Sequence, residues 1–166
     1  MEVKIVGTET RENPATSSKG WSISSFVPSM LAGSNSYTVY KISTHSYYES
    51  RHELHPFYYD KHVKTERRFS EFKKLVEYLK RQEKLEGVPL PKLDSTWKQA
   101  GTKEIEERQS RLEFVLNELL RRSEILEQEA VRFFLLTDVP FDEFENISVY
   151  QRISSYLPKD FRFFNY

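Results

Sequence analysis

Three separated basic points carry the most specific chemistry in this sequence. They are Arg67 and Arg68 together, Lys92 beside the turn Pro89-Leu90-Pro91, and Arg108 in a later charged stretch. Guanidinium groups make paired, charge-assisted hydrogen bonds to phosphate oxygens and lysine adds a compact charge, so such an arrangement suits a polyphosphorylated ring. Each contact of this kind contributes roughly 1.5–3 kcal/mol. Phe69, beside Arg68, offers an apolar face to the ring carbons. Other chemistries find less support. His45, His52, His55 and His62 lack the rigid spacing and carboxylate neighbours of an imidazole metal site and read as residues of a solvated stretch. There is no Gly-rich phosphate loop, Gly-x-Ser-x-Gly elbow or His-Glu-x-x-His helix, so no catalytic residue, metal or cofactor is assigned and an enzyme is not expected. The Pro-x-Pro turn lacks the two-residue gap of an SH3 ligand.

These residues need elements to position them. Val3 and Ile5 alternate with Lys4 across Glu2–Val6, and Ser36–Ser43 alternates likewise, predicting two short strands. The Ser-, Thr-, Gly-, Asn- and Pro-rich stretch Thr8–Asn35 between them reads as a long inserted loop. Its apolar segment Trp21–Leu31 either folds back on the domain or docks a partner or lipid. Thr44–Pro56 reads as a polar loop, and Phe57–Phe69 as a third strand ending in the basic pair. Arg67 alternates to the face opposite Arg68 and is expected to be a surface or salt-bridged residue.

Ser70 is placed to cap a helix whose Phe72, Leu75, Val76 and Leu79 share one buried stripe, with Lys73, Lys74, Glu77, Lys80 and Arg81 around it. Gly87-Val88-Pro89-Leu90-Pro91 ends that helix in an extended turn. Asp94–Gly101 is a second loop. Thr102 then caps a helix with Glu104, Glu106 and Glu107 near its positive end and Arg121 and Arg122 near its negative end. Its buried stripe is Ile105, Leu112, Val115, Leu116 and Leu119. One further short helix is expected over Ser123–Leu136, stopped by Asp138-Val139-Pro140. Strands followed by helices predict an α+β fold, a three-stranded antiparallel meander with a segregated helical layer.

Bulk properties set the outer limits. A 166-residue chain fits one domain, which at this size buries roughly 70% of its unfolded surface. Without cysteine there is no disulfide, thiolate zinc site or cysteine nucleophile, and a reducing cytosolic setting is natural. Net charge is zero, which argues against a nucleic-acid partner, but residues 61–132 carry net +3 while the flanks are acidic, so an anion-binding face belongs in the middle. No apolar run has membrane-spanning length and no signal-peptide core opens the chain, so the expected class is soluble or peripheral.

The run Arg67-Arg68-Phe69-Ser70-Glu71-Phe72 resembles the signature that closes the third strand of the phox-homology (PX) domain family. Val88-Pro89-Leu90-Pro91-Lys92 resembles that family's proline-rich loop, and Glu104-Ile105-Glu106-Glu107-Arg108 through Leu116 resembles the helix that follows. The three motifs fall in the family's order, and the likeness covers about Glu2 to Leu136. It implies a PX domain over 1–137, with an insertion at about 8–35 and an aromatic-rich C-terminal extension at 138–166.

Carried over residue by residue, the resemblance implies that Arg68 binds a 3-phosphate, Phe69 floors the inositol ring and Arg108 holds the 4- and 5-hydroxyls. Lys92 would approach the 1-phosphate, although the family's lysine lies one residue later, where this chain has Leu93. Phe69 could instead be core, and Arg108 could pair with Glu104 at i,i+4. The loop that enters the bilayer in the family here holds Leu93, Trp97 and Lys98, of which Trp97 could instead pack inward. The implied function is a non-catalytic module that recognises phosphatidylinositol 3-phosphate, sorting-nexin-like, and targets endosomal or vacuolar membranes from the cytoplasm for trafficking. The alternative is a PX-fold protein-interaction module with a degenerate pocket, using the insertion or the tail.

Overall fold

The computed structural model describes residues 1–12, 36–50, 57–93, 102–149 and 151–152. The segment Trp21–Leu31, the loop with Trp97 and Lys98, His52 and His55, and the tail beyond Arg152 lie outside the described residues. Strands β1 (Glu2–Glu12), β2 (Ser36–Ser50) and β3 (Phe57–Arg68) form an antiparallel meander in the order β1-β2-β3. Helices α1 (Phe69–Arg81), α2 (Thr102–Leu120), α3 (Ser123–Leu126) and α4 (Glu129–Leu136) follow, then a 3-10 turn at Phe141–Glu143. This is the α+β arrangement expected from the order of the elements.

Alternation assigns the two faces of the sheet. Val3, Ile5, Tyr40, Ile42, Thr44, Thr65 and Arg67 are buried on the inner face, and Tyr40 stands opposite Arg67 and Ile42 opposite both Ile5 and Thr65. On α1 the stripe Phe72, Leu75, Val76 and Leu79 is buried as its spacing demands. Full burial of such a side chain is worth roughly 1.5–3 kcal/mol, so this stripe fixes α1 to the sheet. Leu112, Val115, Leu116 and Leu119 do the same for α2, while Ile105 is only half-buried. Phe72, Phe133, Phe134, Phe141 and Phe144 join these in the core, with the Phe72 and Phe134 rings edge to face at 5.0 Å. Phe141 and Phe144 therefore tie the start of the aromatic-rich tail into the domain.

Several boundaries differ from the expectation. β1 runs on to Glu12 because a register shift between Ile5 and Gly7 lets the polar residues Thr8–Glu12 pair with Tyr40–Ser36. Their outward side chains are satisfied by ion pairs, Arg11 with Glu9 at 2.9 Å and Lys41 with Glu9 at 2.9 Å, so polarity there is not a loop signal. Thr44–Ser50 likewise belongs to β2, paired with Phe57–Val63. Helix α1 starts at Phe69, with Arg68 rather than Ser70 at its cap, and ends at Arg81, six residues before Gly87. The single helix expected over 123–136 is broken in two because Gln128 is extended and caps α4.

Candidate functional site

Arg68 is the last residue of β3 and the cap of α1, still extended at φ −83°, ψ 156°. The buried carboxylate of Glu71 holds that junction. It accepts the Arg68 backbone N–H at 2.6 Å and, with its other oxygen, the Phe141 N–H at 2.7 Å. An acid at the third helical position reaching back to the cap is half of a capping box. The motif contained this acid, but the partner 70 residues on could only be seen in three dimensions.

The two arginines of the run part company here. Arg67 is 1% exposed, so of its two expected states, surface or salt-bridged, the surface one is overturned. Its guanidinium donates to the carbonyls of Phe134 at 2.9 Å and Thr137 at 2.6 Å, and it lies 4.0 Å from Glu71 Oε1. Those carbonyls belong to the end of α4, where helical oxygens lack intrahelical donors and the dipole favours a cation. Burial pushes the Arg67 pKa down, and Glu71 and Asp138 push it back up. Arg67 is thus the C-terminal cap of α4.

Arg68 is exposed, and its guanidinium carbon lies 3.7 Å from the centre of the Tyr37 ring. Among the described residues its side chain makes no hydrogen bond or ion pair. Phe69, half-buried, packs on the core, and the Arg108 guanidinium lies over its ring at 4.8 Å. Helix α2 is pinned for this contact by Gln109, the next residue, which donates to the Ile5 carbonyl at 3.0 Å. Arg108 also faces Tyr40. Burial raises the pKa of the Tyr40 hydroxyl, and the Arg108 charge partly offsets that rise.

The proline turn is anchored from the far end of α2. Gly87 has φ +67°, a conformation that favours glycine, and its carbonyl and that of Glu86 accept from Arg122 at 2.8 and 3.0 Å. Arg122, expected only to oppose a helix dipole, thereby ties the turn to the helical layer. Val88, Leu90 and Leu93 pack on the core and Lys92 is exposed. Leu93 is half-buried, at the start of the loop whose Trp97 and Lys98 lie outside the described residues.

Phe69 and Arg108 are therefore brought into contact, and Arg68, the residue before Phe69, is exposed. Tyr37, under the Arg68 guanidinium, and Glu71, which holds the Arg68 backbone N–H, are the contacts that sequence reasoning missed. The PX domain family model matches residues 55–138, about half of the chain, a span that includes Arg68, Phe69, Lys92 and Arg108. The chain belongs to the PX domain family. PX domains are in general non-catalytic phosphoinositide-binding modules of membrane trafficking. The X-ray structure of a designed CISK-PX domain aligns with a TM-score of 0.53 and 19% identity over 81% of this chain and 98% of that one, an agreement in fold. The mouse SNX19 PX domain with bound sulphate ion aligns at 24% identity over 81% of this chain and 94% of that one, with a TM-score of 0.46. A search of curated proteins found no match. Among the described residues of this PX domain, no helix is long and apolar enough to cross a membrane, and no cluster of three or more His, Asp or Glu is arranged to hold a metal.

Proposed function

We propose that this PX domain recognises phosphatidylinositol 3-phosphate and brings the protein to endosomal or vacuolar membranes as a peripheral adaptor. The observation that carries the reading is the contrast at the end of β3. Arg67 has its donors consumed by the carbonyls of α4, whereas Arg68 has an exposed guanidinium and directly precedes Phe69, over whose ring Arg108 lies. In this reading Arg68 takes the 3-phosphate, Phe69 supports the inositol ring, Arg108 binds the 4- and 5-hydroxyls, and exposed Lys92 reaches the 1-phosphate. Trp97 and Lys98 enter the interface, with Leu93 at the base of their loop.

Vesicle flotation tests it, using phosphatidylcholine and phosphatidylserine vesicles with and without phosphatidylinositol 3-phosphate. The wild type should float only with the phosphoinositide, and Arg68→Ala should not. Equal recovery of both proteins would remove the headgroup claim, and equal recovery on vesicles bearing the 4-phosphate isomer would remove the preference for the 3-phosphate.

A further inference from the structure

Tyr37 lies outside every motif that marks the pocket, yet it makes the one ring contact to Arg68 among the described residues. We propose that Tyr37 is a positioning residue for phosphate recognition: a shelf that holds the Arg68 guanidinium flat, with its donors facing outward. The inference rests on the headgroup reading above and names a residue that reading does not contain.

The argument begins with strand pairing. Arg68 stands opposite Val39 across β2 and β3, and Tyr37 lies two residues before Val39, on the same face and diagonal to Arg68. At 3.7 Å between the guanidinium carbon and the ring centre, the two groups are at van der Waals distance. A guanidinium set edge-on at that distance would drive a nitrogen into the ring, so it lies flat. All its N–H bonds lie in its own plane. Stacking therefore uses none of its donors, which remain directed away from the ring edge towards any phosphate that approaches. Arg67, whose donors are spent on carbonyls, shows the opposite use of the same side chain.

A second feature protects this arrangement. Glu66 precedes Arg68 by two residues on the same face and is the natural carboxylate to neutralise it. Instead Arg11, paired with Tyr37 across β1 and β2, binds both Glu66 oxygens at 2.8 and 3.0 Å. That fork-to-fork pair draws Glu66 towards β1 and leaves the Arg68 cation uncancelled on its shelf.

Holding a long, rotamer-rich side chain in its binding orientation beforehand removes ordering entropy from the binding step. An exposed cation–π contact of this kind translates into about a two- to fivefold change in affinity. The test measures binding of wild type, Tyr37→Leu and Tyr37→Phe to vesicles containing phosphatidylserine with phosphatidylinositol 3-phosphate, with the 4-phosphate isomer, or with neither. Tyr37→Phe keeps the ring and should bind as the wild type does. Tyr37→Leu keeps apolar bulk without a π face and should lose about two- to fivefold for the 3-phosphate vesicles, with unchanged binding to phosphatidylserine alone, which narrows the preference between isomers. A leucine variant that merely damaged the fold would weaken all three vesicle types together, and that outcome overturns the proposal. So does Tyr37→Leu binding like the wild type, or Tyr37→Phe losing as much as Tyr37→Leu. A wild type that fails to distinguish any phosphoinositide vesicle from phosphatidylserine alone overturns the headgroup reading, and this inference with it.

Discussion

Replacing each member of the Arg67-Arg68 pair by methionine should produce two different kinds of loss. Methionine keeps most of the aliphatic stem, so the change isolates the guanidinium. At position 67 it removes the charge-assisted bonds to the Phe134 and Thr137 carbonyls, 2.9 and 2.6 Å long, and a cation over the Phe134 ring at 5.2 Å. Bonds of that type contribute roughly 1.5–3 kcal/mol each, and the relief of no longer burying a charge offsets part of the sum. Removing one partner of a buried charged arrangement typically costs about 3–5 kcal/mol, and we expect about 3–4 kcal/mol here. Against a usual domain stability of about 5–15 kcal/mol, the variant stays folded at room temperature. With a urea dependence of about 2 kcal/mol per molar, its midpoint falls by about 1.5–2 M. Arg68→Met, at an exposed position, should move the midpoint little, within about 0.5 kcal/mol. Vesicle binding measured well below both midpoints should reverse the ranking, with Arg67→Met retaining it and Arg68→Met losing it. If Arg67→Met unfolds at the wild-type urea concentration, or the two variants shift alike, the assignment of Arg67 as the cap of α4 is wrong.

Two further outcomes concern the supports of the site. Glu71→Gln leaves one oxygen where two backbone N–H groups, of Arg68 and Phe141, now share a carboxylate; urea denaturation should show a loss of about 1–3 kcal/mol, and an unchanged midpoint would show that the junction is held by packing alone. Hydrogen bonds from Arg11 and then Lys41 pull the Glu9 carboxyl from its ordinary 4.5 down to about 2. A folded-state value below the unfolded one means that the contribution of this ion pair is complete above about pH 4.5 and is lost as pH falls towards 2. The thermal midpoint of the wild type should therefore converge on that of Glu9→Gln across that interval, whereas a constant gap would exclude Glu9 as the titrating group.

What was legible in the sequence follows from the range of the forces involved. The buried stripe of α1, Phe72, Leu75, Val76 and Leu79, is a local periodic pattern and needs no knowledge of its partner. The ends of β1 and β2 were less legible, because Thr8–Glu12 and Thr44–Ser50 pair their backbones while their side chains carry the polarity of a loop. Alternation put Tyr40 and Ile42 on one face of β2 without marking that face as the inner one, and the inner face was misleading at Arg67. Alternation correctly put the two arginines on opposite faces, but an inward arginine is credible only with acceptors waiting, and these are backbone oxygens at the end of a helix about 70 residues later. Main-chain acceptors leave no compositional trace.

The candidate site divides along the same line. Arg68, Phe69 and Arg108 belong to contiguous motifs, and the motifs carry them. Tyr37 enters through strand register, as the diagonal neighbour of Arg68 across β2 and β3, and the Arg11 that diverts Glu66 enters through the next register over. These residues act on the cation without being near it in the chain, so no signature of fixed spacing can include them. The groups that would touch a headgroup are thus written locally, while the groups that set their posture are written in the pairing of the sheet. A PX domain that keeps its signature but loses an aromatic at the Tyr37 position or a base at the Arg11 position should therefore keep its fold and the charges of that signature while binding the headgroup more weakly.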